Sequence, residues 1–174
     1  MRRLLLTLLC ALIAVPAALA GARATGDGIL ELQAVDATNA TIVGRGALWG
    51  QLDSGRLIVT DPVAGDGIVY VSGADRTPRP LGDTGTTTLY VGKNIHFRVT
   101  GGTYRLTFAK STGIDLTAVG VGKAYLTGDP LADDPGTYAL DGGKWVPVPT
   151  VKVPRTVPFG DQSLSSTTSS TQGP

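Results

Sequence analysis

From Thr25 onward, apolar residues recur at every second position in short runs separated by glycine, aspartate and proline. No ten-residue stretch there carries a 3.6-residue period, so the pattern predicts strands and no helices. Runs over 29–35, 41–43, 47–52, 56–60, 68–72 and 87–91 are each of strand length and bounded by turn formers. The clearest unit is 95–108. Ile95, Phe97 and Val99 alternate with His96, Arg98 and Thr100, and Tyr104, Leu106 and Phe108 alternate with Thr103, Arg105 and Thr107. Gly101-Gly102 between them predicts a two-residue hairpin turn that pairs Thr100 with Thr103, Val99 with Tyr104 and Phe97 with Leu106. A second hairpin is predicted around Gly142-Gly143, with Asp141 opposite Lys144 and Leu140 opposite Trp145. Two more strands are expected over 114–119 and 121–127, the second broken by Gly122.

Such a succession of short strands predicts an all-β, antiparallel β-sandwich of about eight to ten strands. A weak echo, Gly44-x-Gly46-x-x-Trp49 and Gly120-x-Gly122-x-x-Tyr125, keeps a β-solenoid as the alternative architecture.

The two ends read differently. Arg2 and Arg3 precede an apolar run over 4–15, followed by small residues at Ala18, Ala20, Ala22 and Ala24, which is the layout of a secretory signal peptide. The run is shorter than the roughly 20 residues of a membrane-crossing helix, and Pro16 interrupts its far end, so cleavage rather than anchoring is expected. At the other end Pro147, Pro149, Pro154 and Pro158 favour extended chain, and 163–171 is almost wholly Ser and Thr. The expected organisation is a signal peptide over 1–24, a β domain over 25–147, and a disordered tail over 148–174 that is first Pro-rich and then Ser/Thr-rich.

Composition narrows the chemistry. Cys10, the single cysteine, lies inside the signal, so the mature chain is cysteine-free and can form neither a disulfide nor a thiolate site. Cleavage after Ala24 removes Arg2, Arg3 and Arg23 from fifteen basic residues, leaving twelve against fourteen acidic ones and a net charge near −2. That balance is no nucleic-acid signature. Thirteen of the fourteen acidic residues are Asp and only Glu31 is Glu; His96 is the sole histidine. Histidine, cysteine and glutamate, three of the residue types that commonly serve as nucleophile or general base, are therefore nearly absent, and no cofactor is implied.

Candidate contacts come from the polar faces. Alternation along 47–53 puts Trp49, Gln51 and Asp53 opposite in sense to Leu48 and Leu52. An indole beside an amide and a carboxylate suits a sugar, whose ring has an apolar face and a hydroxyl rim. Tyr125 stands similarly between Lys123 and Thr127. The plainer alternative is that both aromatics cover part of the core. In the hairpin register predicted above, Arg98 faces Arg105, a like-charge pair that an anion would relieve and that water on an open surface screens equally well.

Asp129, Asp133, Asp134 and Asp141 offer oxygen ligands but match no calcium-loop spacing, and turn formation accounts for them. Asp83-Thr84-Gly85-Thr86 resembles the active-site tetrapeptide of aspartic proteases, which implies a dimer pooling two Asp83 carboxylates. Gly82 and the prolines at 78 and 80 depart from the apolar strand that normally precedes that motif, and no second copy exists. The preferred expectation is an exported, secreted or cell-surface, non-catalytic domain that contacts envelope polysaccharide or another surface protein. A structural protein without a specific ligand, and least of all a dimeric protease using Asp83, are the alternatives.

Overall fold

The computed structural model describes residues 26–36, 38–83 and 85–161. The predicted signal peptide, the Ser/Thr-rich end and Thr84 lie outside them. Among the described residues there is no helix, and ten strands join in one antiparallel sheet where the pattern predicts two stacked sheets. The solenoid alternative fails as well, because every strand pair is antiparallel and no coil repeats.

The reason is the length of the strands. β2 (Thr38–Thr60) is 23 residues long and β7 (Ile114–Gly128) is 15, against the usual five or six. β2 pairs along one edge with β7, from Thr38↔Gly128 to Gln51↔Asp115. Along its other edge it takes β6 (Thr103–Thr112) over its first third and β5 (Thr87–Thr100) from Leu48 to Thr60. The chain from Thr87 to Thr112 is therefore one bent strand running antiparallel to β2. Gly101 and Gly102 mark the bend, both at positive φ (79° and 80°), and the Gly102 carbonyl accepts from the Gly46 N–H at 3.0 Å.

This corrects the predicted hairpin. Val99 pairs with Leu48 and Tyr104 with Gly44, not with each other, and Arg98 does not face Arg105. The alternation itself holds: Ile95, Phe97, Val99, Tyr104, Leu106 and Phe108 are all buried, and the rings of Phe97 and Phe108 lie 5.3 Å apart. Two glycines at positive φ suit a tight turn and a kink equally; the continuous edge of β2 decides which one forms.

The ribbon also closes on itself. Leu106 pairs with Ile42 on one side and Val59 on the other, so β6 is hydrogen-bonded to β2 along both edges and the sheet curls around a common core. β1 (Gly28–Ala34) and β10 (Arg155–Phe159) share the far edge of β7, and β8 (Thr137–Leu140) with β9 (Val146–Pro147) extends the sheet beyond β1. β3 (Ile68–Ala74) and β4 (Arg79–Leu81) flank β5. Val148, Val157 and Phe159 are buried, so the packed domain continues past the boundary expected at 147: the chain is irregular over 148–154 and then returns to the sheet as the edge strand β10.

The second predicted hairpin forms one residue out of register. Thr137 pairs with Pro147 and Tyr138 with Val146, because the loop spans three residues, Asp141 (φ 54°), Gly142 (φ 67°) and Gly143, in place of Gly142-Gly143 alone. Asp-Gly supplies the two positive φ angles of that turn as well as two glycines do. The Gly143 N–H closes it on the Leu140 carbonyl at 2.8 Å.

Candidate functional site

Buried and exposed positions alternate along β2 and β5, and their register decides which outward residues become neighbours. Leu48 and Leu52 are buried, so Trp49 and Gln51 face outward; Ile95, Phe97 and Val99 are buried, so His96 and Arg98 face outward. Trp49 is paired with Arg98 on β5 and Thr117 on β7, and Arg98 is paired with Tyr70 on β3. One row across four strands therefore reads Tyr70, Arg98, Trp49, Thr117. Trp49 is 45% exposed and Tyr70 59%, high values for side chains of this size.

Two residues further along the strands a second row reads Ser72, His96, Gln51, Asp115. All four of these are exposed or half-buried polar side chains. Strands lie about 4.8 Å apart, so Trp49 and Tyr70 stand roughly 10 Å apart with a guanidinium stem between them. The polar row lies about 7 Å from the aromatic one. This is an open platform with apolar faces on one line and hydrogen-bonding groups on the next.

Of the residues singled out from the sequence, the fold brings together Trp49, Gln51 and Arg98. Asp53 continues the same outward series, and its carboxylate lies over Gly113, on the side of β2 away from β5. Tyr125 is elsewhere: it is half-buried and paired with Thr41 on β2 and Thr156 on β10. Arg105 is exposed beside Val43 and Thr60, far along β2 from Arg98. Tyr70 and His96 complete the platform and were not nominated from the sequence, although Tyr70 falls in an expected strand whose alternation already turns Val69 and Val71 inward.

Three of the four acidic candidates, Asp129, Asp134 and Asp141, are used as backbone caps, and Asp36 joins them. Asp129 accepts from the Leu131 N–H at 2.9 Å, Asp134 from the Gly136 N–H at 2.9 Å, Asp36 from the Asp134 N–H at 2.9 Å, and Asp141 from the Ile29 N–H at 3.0 Å. Asp83 lies exposed in the loop between β4 and β5, between Gly82 and Gly85, both at positive φ. Two phenols depart from ordinary behaviour, and both for the same reason: burial pushes Tyr104 far up and Tyr90 up. Neither belongs to the platform.

Comparison with protein-family models, with curated proteins and with solved structures gives no match.

Proposed function

We propose that this chain is an exported, non-catalytic β domain that contacts envelope polysaccharide through the outward platform around Trp49. The observation that carries the reading is the row Tyr70, Arg98, Trp49, in which two large exposed aromatics flank a guanidinium on neighbouring strands. A pyranose stacks its C–H face on an aromatic ring and offers hydroxyls to amide, imidazole and carboxylate groups, and Gln51, His96 and Asp115 supply these one row away. An open face also fits an extended polymer better than a small metabolite, which calls for a concave, enclosed site.

Retention on insoluble envelope polysaccharide tests this. Trp49→Ala and Tyr70→Ala should each weaken binding about tenfold, the loss of one stacking platform of about 1–2 kcal/mol. Tyr125→Ala should leave it unchanged. Full retention of both platform variants overturns the reading.

A further inference from the structure

A second feature lies four residues along β2 from Gln51. Four strands change face there. On β2 the buried positions switch from Leu48 and Leu52 to Leu57 and Val59, across Gly55 at φ 136°. On β5 they switch below Ile95, across Asn94 at φ 52°. On β6 they pass from Phe108 to Ser111 across Lys110 at φ 51°, an extra residue relative to both flanking stretches of β2. β3 slips register against β5 between Ser72 and Ala74, at Gly73, φ 85°.

A bulge of this kind re-aims side chains, and a non-glycine residue in the left-handed region carries a strain cost that the surrounding structure must offset. Asn94 and Lys110 both carry that cost. The Lys110 conformation is held by its N–H donating to Asn39 Oδ1 at 3.0 Å.

The re-aimed side chains surround a cleft of about 370 Å³. Arg56, Arg76, Lys93 and Lys110 line it against a single carboxylate, Asp75, a net of three positive charges. The whole chain carries a formal charge of only +1, so this concentration is local. Gly55 and Gly92 are paired at its floor, and a Cβ on Gly92 would strike the backbone of Asp75. The site is thus open at the backbone and cationic at the rim.

We propose that this cleft binds a phosphate ester, with the phosphoryl group set among Arg56, Arg76, Lys93 and Lys110. A phosphoryl group carries close to two negative charges and three acceptor oxygens, which several neighbouring cations can neutralise and hydrogen-bond where a single one could not. The volume exceeds what a bare ion needs and suits an ester of about monosaccharide size. This site is separate from the aromatic platform and does not depend on it.

Titration of the ¹⁵N-labelled full chain with glucose 1-phosphate tests the proposal. Saturable shifts are expected at the Gly55 and Gly92 amides, with none for glucose. Arg56→Gln/Lys93→Gln should weaken binding at least tenfold, the loss of two charge-assisted contacts, without moving the melting curve, since both side chains are exposed. Asp75→Asn should tighten binding a few-fold by removing the one like charge, a gain that a damaged fold would not produce. Trp49→Ala should change nothing here. Non-saturating shifts, unchanged affinity in the double variant, or sulfate bound as tightly as the ester would each overturn the assignment.

Discussion

Trp49 and Tyr125 occupy equivalent places in the chain and different places in the molecule. Each follows a glycine pair by three residues, and the two glycine pairs lie against each other, Gly44↔Gly122 and Gly46↔Gly120, so the aromatics diverge from a common centre in opposite directions along β2 and β7. Trp49 emerges where β5 and then β3 lie beside β2, next to Arg98, Tyr70 and the His96–Gln51 row. Tyr125 emerges between hydroxyls: Thr41, which shares a 3.1 Å hydrogen bond with Thr107, and Thr156 of β10. The same local pattern therefore yields an exposed platform at one end and a half-buried packing residue at the other. Flanking strands, not the aromatic itself, make the difference.

The largest effect should come from breaking the shared centre. Gly46 has φ 133°, and a Cβ there would collide with the Val119 carbonyl oxygen and approach Gly120 Cα at 2.9 Å. Gly46→Val should cost about 3 kcal/mol or more in urea denaturation, removing both faces together. An unfolding midpoint close to the parent's would show that the glycine centre does not organise the sheet.

The next contrast separates the two aromatics. Tyr125→Ala should lower stability by about 1–2 kcal/mol while glycan retention stays intact; Trp49→Ala should do the reverse, lowering retention with stability within about 0.5 kcal/mol. Matching losses of retention for both would erase the distinction drawn here.

The smallest effect concerns the core beneath the centre. Tyr104 is buried opposite Gly44, and its hydroxyl has no hydrogen-bond partner in the structure. Tyr104→Phe should be neutral or stabilising, within about 1 kcal/mol, because it removes an orphaned polar group while leaving the ring. Since burial raises the folded phenol above its ordinary value of 10.0, the unfolded chain ionises first. The stability it contributes is complete below about pH 10 and declines as pH rises beyond that. The Phe variant should show a shallower alkaline decline in the same denaturation series, with both outer faces unchanged.

Much of this was legible in the residues. Period-two alternation placed Ile95, Phe97, Leu106 and Phe108 inside and Trp49, Gln51 and Arg98 outside, because burial parity is a local property. Pairing was not legible. Gly101-Gly102 has the chemistry of a hairpin turn, and only the distant 23-residue strand β2, which competes for both flanks, turns it into a kink. Tyr70 could be assigned to a strand face but not to Arg98, since that needs β3 to be docked on β5. The cationic cleft was hidden for a related reason: Arg56, Arg76, Lys93 and Lys110 are scattered over 55 positions, and face changes at Gly55, Asn94 and Lys110 break the simple alternation that would have located their side chains.

The placement of β2 has a further consequence for how the molecule comes into being. Among the ten strands, only β4 with β5 and β8 with β9 pair with the next in sequence, and these are the shortest contacts in the sheet. β2, made early, finds its first partner only when residues after 87 exist, and its second edge is not complete until Gly128. Non-local pairing of that kind makes assembly slow. Emerging from the ribosome, the first half of the polypeptide lacks the partners of its longest strand, so β2 cannot reach its final pairing until most of the chain has been synthesised.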